Sequence, residues 1–295
     1  PAPADASTPA QYRDDPTRGI VLKVLSVCCF VVMATLLKAT ATIPAGELVF
    51  FRCFFAILPV LAWLIWRRQL RTALHTRDPL GHVLRAVVGG TSMGLGFFAL
   101  TRLPLPESTA LGYAAPLIVV MLSALLLKER VHVFRWTAVV IGLFGVLIIL
   151  WPRLTLLQGG NALGNSETIG AIAAFCGAFV TALAMMQVRK LTRTERTEAI
   201  VIYFFISASL MSLVTIPFGW VMPTPEQAML LVGAGFVGGI GQLLLTSCYR
   251  YADMSVIAPF EYVSLLLTLV IGLIVFGDVP TWSMIAGGLL MAGLL

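Results

Sequence analysis

Hydrophobic residues fill most of the chain in long runs, and short polar connections separate these runs. Two examples are LVFFRCFFAILPVLAWLIW (48–66) and AVVIGLFGVLIILW (138–151). Apolar runs of nearly 20 residues have the length that a helix needs to cross a bilayer core of about 30 Å. The pattern predicts ten membrane-spanning helices, at 19–38, 44–66, 80–101, 106–127, 132–151, 167–188, 197–218, 226–248, 255–276 and 279–295.

The composition excludes a soluble globular domain. Of the 295 residues, 59% are hydrophobic and only 12% are charged, and the mean hydropathy is +0.94. Soluble domains carry about a quarter charged residues, so this chain lacks the polar surface that water would require. We therefore expect an all-α integral membrane protein whose partner is the lipid bilayer.

Basic residues are concentrated in every second connection between the predicted spans. Fourteen of the 20 Lys and Arg residues precede the first span or follow even-numbered spans, whereas only Lys38, Arg102 and Arg153 lie in the other connections. Positively charged connections tend to stay in the cytoplasm, so we expect both termini there. All six tryptophans lie near span ends, as in interfacial aromatic belts. The net charge of +6 then reflects topology, and we expect no nucleic-acid partner.

A weak internal repeat relates the two halves of the chain. GGTSMGLGFFAL (89–100) aligns with GGIGQLLLTSCY (238–249) at an offset of 149 residues, and the same offset pairs Tyr113 with Tyr262. Each half holds five predicted spans. Because five is odd, the second half must enter the membrane in the opposite sense.

This arrangement predicts ten transmembrane helices in two inverted five-helix repeats around a central cavity. Inverted repeats are typical of secondary transporters, which bind their substrates near the membrane midplane. The predicted parts are a cytoplasmic N-terminal segment, a first repeat, a periplasmic linker and a second repeat, at 1–18, 19–151, 152–166 and 167–295. One chain supplies both repeats, so a monomer would suffice.

The stretch Gly90–Gly94 matches G-x-S-x-G, the pattern of a hydrolase nucleophile elbow. Such an elbow needs a strand-to-helix turn with a histidine and an acid nearby. Ser92 instead lies inside the third predicted span, and the three histidines lie in or beside cytoplasmic connections. We expect no catalytic residue, and we interpret the glycines as sites of helix packing or hinge motion: Gly89, Gly90, Gly94, Gly238 and Gly239.

Several residues then carry a resemblance to a known family. They are Lys38 at the outer end of the first span, Arg52 in the second, and the segment ALGYAAPLIVVMLSALLLKERVHVFRW (110–136) with Pro116 and Glu129. With these features the chain resembles the ten-helix EamA-type exporters of the drug/metabolite transporter superfamily. The second half departs from the pattern, because Asp278 replaces the acid and the proline moves from the mate of Pro116 to Pro259.

The sequence is most similar to the bacterial exporters of aromatic amino acids within that superfamily. The resemblance implies export of amino acids or similar metabolites across a bacterial inner membrane. The first candidate function is therefore an amino-acid exporter working by alternating access, with aromatic amino acids and related metabolites as substrates. The alternative within the class is a broad drug or metabolite exporter of the same fold.

Five residues are candidates for substrate binding. Tyr113 and Tyr262 are repeat mates, each three residues from a proline, and their rings and hydroxyls would suit an amphipathic ligand. The alternative for both is ordinary helix packing. Gln242 adds an amide on the glycine-rich eighth span, and Phe97 and Ser92 in the third span complete the set.

Glu261 is the candidate for coupling or for binding a substrate ammonium. It lies two residues after Pro259, where a missing backbone hydrogen bond disturbs the helix. Freed polar groups at membrane depth usually line a cavity. A structural acid near the cytoplasmic interface is the equally weighted alternative. We expect Pro116 and Pro259 to act as packing or hinge positions.

Arg52 and Lys38 are interpreted as structural charges within the membrane. Arg52 would snorkel toward the outer face or pair with Glu47 or Glu107, since arginine reaches the interface easily. Lys23 and Arg85 also lie near span ends and would snorkel.

Other functions lack their residues. The five cysteines lie in apolar runs without metal-ligand spacing, so neither a metal site nor a cofactor is predicted. Sugar-phosphate transport is disfavoured because the fourth and ninth spans have no central Lys or Arg. A membrane enzyme would need catalytic residues at one depth, and a scaffold or receptor would not need inverted repeats with intramembrane charge. A neutral or zwitterionic small molecule with a large apolar part fits what remains.

Overall fold

The computed structural model describes residues 15–68, 78–126, 166–191, 194–248 and 263–292, with short stretches or single positions at 70, 76, 137, 140–142, 144–148, 151, 251 and 260. These residues form helices and turns without any strand. Six of the helices are long and apolar enough to cross a membrane. The chain is therefore an all-α multi-pass membrane protein.

The described part contains ten α-helices, which correspond to nine of the ten predicted spans because two of them share the fourth span. Two of them continue in tighter or wider turns: α7 into a 3₁₀ segment, Leu213–Phe218, and α9 into a π segment, Gly272–Phe276. The predicted span at 132–151 falls mostly outside the described residues. The helices are α1 Pro16–Ala39, α2 Ala45–Trp66, α3 Pro79–Leu100, α4 Leu105–Gly112, α5 Ala114–Leu126, α6 Ser166–Leu191, α7 Thr197–Ser212, α8 Pro225–Cys248, α9 Val263–Ile271 and α10 Trp282–Ala292.

Two helices begin with the same local signal. Asp15 and Asp78 precede prolines, and their carboxylates accept hydrogen bonds from the amides of Arg18 (3.0 Å) and Gly81 (2.9 Å). Proline is favoured in the first turn, where its missing N–H has no partner to lose. These caps fix where α1 and α3 begin, and thus the register of the polar residues inside them.

The predicted fourth span is broken into α4 and α5 at Tyr113. Pro116 has no N–H, so the carbonyl of Gly112 four residues earlier loses its helical donor. At this point the chain forms a turn in which the Tyr113 amide donates to Ala110 O at 3.2 Å. This turn places the Tyr113 side chain inside the bundle, where only 6% of it is exposed.

The helices of the two halves are interleaved. α1 packs chiefly against α8, and α6 packs chiefly against α3. The two pairings are equivalent under the repeat, because each joins the first helix of one half to the third helix of the other half. The first helices are α1 and α6, and the third helices are α3 and α8. The α2–α7 contact maps onto itself in the same operation. The packing supports the predicted repeat, with the interface between halves running through the core.

Glycines of α8 bring its backbone onto that of α2. A Cβ added at Gly239 would lie 2.6 Å from Ala56 O, and one added at Gly235 would lie 2.6 Å from Phe55 Cβ. Both distances are shorter than real contacts, so glycine is required for this approach. Small residues are the usual means of close helix packing in membranes. By contrast, a Cβ at Gly94 would meet nothing within 4 Å.

We expect Gly239→Ala to lower the thermal unfolding midpoint of the detergent-purified protein, because the added methyl must push α8 away from α2. Overpacking of this kind costs about 1–3 kcal/mol. Gly94→Ala is the matched control, on α3 in open space, and it should leave the midpoint unchanged or raise it. Equal midpoints for the two variants would contradict the close approach.

Candidate substrate-binding site

Two arginines reach the interior of the bundle from neighbouring helices. Arg52 lies seven residues into α2 and Arg85 six residues into α3, each about 10 Å along its helix at 1.5 Å per residue. Both guanidinium groups lie over adjacent rings of α7. Arg52 Cζ is 5.0 Å from the Phe205 ring centroid, and Arg85 Cζ is 4.1 Å from that of Phe204.

Arg52 is almost completely buried, with 3% of its surface exposed. Its Nε approaches Met33 Sδ at 3.4 Å and its Nη1 approaches Cys53 Sγ at 3.8 Å. It does not snorkel to the outer face. It does not pair with Glu47, whose carboxylate accepts from the Val221 amide at 3.1 Å, and no ion pair joins it to Glu107. Sulfur atoms are weak acceptors, so this guanidinium is poorly satisfied.

Arg85 also fails to snorkel. Its Nε and Nη1 atoms are buried and have no hydrogen-bond partner within the described ranges. Its side chain does not extend toward the cytoplasmic interface as predicted. It extends in the opposite direction, past Gly89, which lies one turn further toward the outer end of α3.

Two repeat-related glycines make room for these arginines. A Cβ at Gly89 would lie 1.6 Å from Arg85 Nη1 and 2.8 Å from Phe204 Cε2. A Cβ at its mate Gly238 would lie 2.6 Å from Met33 Sδ and 3.4 Å from Arg52 Nε. The predicted packing glycines therefore also shape the space around the two charges.

Glu195, a described carboxylate on the inner side, belongs to another network. Glu195 Oε1 accepts from the Asp78 amide at 2.9 Å and from Thr76 Oγ1 at 3.1 Å. Its Oε2 lies 3.8 Å from Nε2 of the buried His82, which packs on the Tyr203 ring. This carboxylate joins the start of α3 to the start of α7 and forms no ion pair with either buried arginine.

Tyr113 joins the two halves of the protein. Its hydroxyl forms a short hydrogen bond with Ser264 Oγ of α9. Its predicted mate Tyr262, together with Glu261 and Pro259, lies outside the described residues. Ser264 belongs to no sequence motif. Its position two residues after Tyr262 was the one feature of the sequence that could have indicated a role at this site.

The remaining candidates occupy separate positions around the interior. Ser92 forms a short hydrogen bond with Thr181 of α6, again between the halves. Gln242 is half-buried and its Nε2 lies 3.5 Å from Thr246 Oγ1 on its own helix. Phe97 is 8% exposed and packs in the core. Pro116 stands in the first turn of α5.

The glycines Gly90 and Gly94 have looser surroundings than Gly89. A Cβ at Gly90 would find its nearest neighbour, Met211 Cε, at 3.9 Å. The two therefore do not enforce a close helix contact in this structure, whereas Gly239 does, and Gly238 lies close to the side chains of Met33 and Arg52.

Polar contacts close the end of the bundle that we call the outer end, after the orientation predicted from the charges. Lys38 Nζ donates to the carbonyls of Leu100 (3.1 Å) and Leu103. The negative charges of Asp278 and Glu107 also attract its ammonium group. Asp278 Oδ2 accepts from the Leu105 amide at 3.0 Å across the two halves. Lys38, predicted as a structural charge, thus ties α1 to the α3–α4 connection.

A cavity of about 460 Å³ lies beside this closure. Arg102, Phe98 and Trp220 contribute its charged and aromatic wall, and Arg102 Cζ lies 3.6 Å from the Phe98 ring centroid. It is separate from the paired arginines, which line neither this cavity nor the adjoining one of about 310 Å³.

Comparison with known proteins identifies the class. The model of the EamA-like transporter family matches the chain twice, over residues 17–151 and 168–294. The chain belongs to this family. It is a membrane transporter and not an enzyme, as the sequence analysis predicted for the class of protein.

Characterised relatives are similar along most of the chain. The pseudopaline exporter CntI of Pseudomonas aeruginosa is 31% identical, covering 92% of this chain and 93% of that protein. A riboflavin transporter of Vibrio cholerae is 30% identical, covering 76% and 71%. An S-adenosylmethionine uptake transporter of Rickettsia prowazekii is 25% identical, covering 83% and 79%. A solved crystal structure shares the fold, with a TM-score of 0.65, 19% identity and coverage of 94% and 95%.

These relatives differ from one another in the substrate and in the direction that their names give. None of the three is named as an exporter of aromatic amino acids, so that part of the prediction has no support from them. What they establish is the coarser statement, a small-molecule transporter in a membrane.

We expect Lys38→Met to open the outer end more often, because it removes two charge-assisted hydrogen bonds. Each is worth about 1.5–3 kcal/mol, so the open population should rise at least about ten-fold. The buried Cys53 is a native reporter, in a background where the other four cysteines are alanine. Its labelling by a membrane-impermeant maleimide from outside should accelerate.

The exposed Lys190 at the inner end of α6 provides the control. Lys190→Met should leave the labelling rate unchanged. The same rate in the Lys38 variant and in the parent would show that these bonds do not hold the outer end closed.

Proposed function

We propose that this protein exports a small amino-acid-like metabolite from the cytoplasm of a bacterium across the inner membrane by alternating access. Both termini face the cytoplasm. Aromatic amino acids and related compounds are the first candidate substrates. The alternative is broad export of drugs or metabolites by the same fold.

The observation that carries the proposal is the similarity to a named exporter over more than nine tenths of both chains. Export also agrees with the basic connections, which put the termini in the cytoplasm. Direction alone does not follow from family membership, because another relative is named as an uptake transporter. It therefore has to be measured.

Alternating access is supported by how the outer end is closed. Among the described residues, the Asp278–Leu105 bond of this closure crosses between the halves. The Thr42–Gln227 bond (3.0 Å) also crosses between them. Polar bonds of this kind between the halves can break and re-form in a transporter whose halves rock about a central site. The Tyr113–Ser264 and Ser92–Thr181 bonds lie nearer that pivot.

In this scheme Tyr113, Tyr262, Phe97 and Gln242 contact the substrate, with Ser92 beside them. Glu261 binds a substrate ammonium or carries a coupling proton. Pro116 and Pro259 allow the fourth and ninth spans to bend, and the turn at Tyr113 between α4 and α5 is consistent with this role for Pro116.

Uptake of labelled tryptophan, phenylalanine and threonine into proteoliposomes tests the proposal, with and without an imposed pH gradient. We expect uptake of the aromatic species above that of empty liposomes. We expect Tyr113→Phe to slow it, because the bond to Ser264 is lost. If Glu261 carries the proton, Glu261→Gln should abolish any response to the gradient.

Thr194→Ala, at an exposed turn, is the folded control and should transport normally. Absence of uptake for every amino acid, from protein that is monodisperse and folded, would contradict the amino-acid proposal and favour the broader exporter.

A further inference from the structure

We propose that Arg52 and Arg85 bind the carboxylate of the transported substrate, and that the rings of Phe204 and Phe205 hold its apolar part. The inference rests on the proposed function, since it assigns the substrate class to the interior of the same transporter. It replaces the interpretation of Arg52 as a structural charge.

Both guanidinium groups point toward the middle of the membrane. Arg85 extends from its position near the inner end of α3 past Gly89, the eleventh residue of that 22-residue helix. Arg52 extends from the outer part of α2 to Gly238, the fourteenth of the 24 residues of α8. The rings beneath them have centroids 5.6 Å apart. Two cations from opposite leaflets therefore lie over neighbouring rings of α7.

Among the described residues, the two arginines have none of the acidic or carbonyl partners that a structural role would supply. A buried arginine is normally paired with an acid or with backbone carbonyls, and burying a charge without such a partner is strongly unfavourable. Here the described contacts of Arg52 are two sulfur atoms and a ring. Arg85 has two buried, unpartnered nitrogens and a ring.

An anion would satisfy both groups at once. A guanidinium presents parallel N–H donors that match the two oxygens of a carboxylate. A carboxylate would replace the weak Met33 Sδ acceptor on Arg52 and supply the missing acceptor on Arg85. The repulsion between the two cations would become attraction to a shared or bridging anion.

The surroundings indicate what the rest of the ligand resembles. Besides the two rings, the groups around the arginines include the thioethers of Met33 and Met93. Met33 approaches Arg52 and Met93 approaches Cys53. Thioethers and ring faces are apolar and polarisable, and Met adapts to irregular shapes. A carboxylate attached to an aliphatic or aromatic group matches this lining.

Anion-dependent thermal stabilisation of the detergent-purified full chain tests the site without requiring transport. Benzoate and benzamide are the probes, since they share size and ring but only benzoate is charged. Benzoate at about ten times its dissociation constant should raise the unfolding midpoint by about 3 °C. Benzamide at the same concentration should not. Chloride holds ionic strength constant, and inorganic phosphate is a third arm.

The decisive variants are Arg52→Met and Arg85→Met. Each should weaken benzoate binding about ten- to hundred-fold, and neither should lower the midpoint of the ligand-free protein, because each removes a buried unpaired charge. A structural role predicts the opposite, a lower ligand-free midpoint with the benzoate shift intact. Arg52→Lys and Arg85→Lys keep the charge if the methionine variants do not fold, and should retain part of the shift.

Arg67→Met is the matched control, an arginine at the inner end of α2 that also lies over aromatic rings. It should keep the full benzoate shift. The site assignment is overturned if benzoate and benzamide act alike, if both arginine variants keep the shift, or if phosphate alone stabilises. Stabilisation by benzoate with no amino-acid uptake would instead refute the proposed function and leave the anion site in place.

Discussion

A charged group in the interior of a membrane protein needs a partner, because neither lipid nor apolar side chains can replace its water. Within the part of the chain that the structure describes, Arg52 and Arg85 meet this constraint with sulfur atoms and aromatic faces. Glycines at two repeat-related positions leave room for them. The interior of α2, α3, α7 and α8 is thus arranged around two cations whose missing hydrogen-bond acceptors a bound substrate can supply. A transporter responds to its ligand only through interactions that differ between its conformations, and the contact with these cations is such an interaction.

The glycines connect this electrostatic feature with the packing. Gly235 and Gly239 hold α8 against the backbone of α2, while Gly238 between them faces Arg52. One short stretch therefore sets both the distance between the halves and the space beside the charge. A movement of α8 relative to α2 would change the surroundings of Arg52 directly. If Arg52 binds the substrate as proposed, substrate binding is coupled to rearrangement of the halves through these contacts.

Much of the fold could be predicted from the sequence, because hydrophobic length and helix caps are local signals. The second span was predicted at 44–66 and α2 covers Ala45–Trp66; the eighth was predicted at 226–248 and α8 covers Pro225–Cys248. The break at Tyr113 was not predicted, although Pro116, its cause, is visible in the sequence. A proline bends some membrane helices and interrupts others, and the tertiary partners decide which.

The candidate site was less predictable because long side chains choose their direction from tertiary contacts. Arg85 lies near a span end, so snorkelling was the reasonable expectation, yet Gly89 and Phe204 give it a path toward the midplane. Ser264 and Thr181 were missed because a hydroxyl on an apolar helix has no pattern of its own. Their importance comes from partners, Tyr113 and Ser92, that lie far away in sequence.

The position of a bound carboxylate tests the role of the two arginines most directly. A structure of the protein with 4-bromobenzoate, located by the anomalous scattering of bromine, would give that position. The carboxylate oxygens should lie about 2.7–2.9 Å from guanidinium nitrogens of Arg52 or Arg85, with the ring beside Phe204 and Phe205. A ligand bound away from both arginines, or an interior that stays empty at saturating concentration, would contradict the assignment.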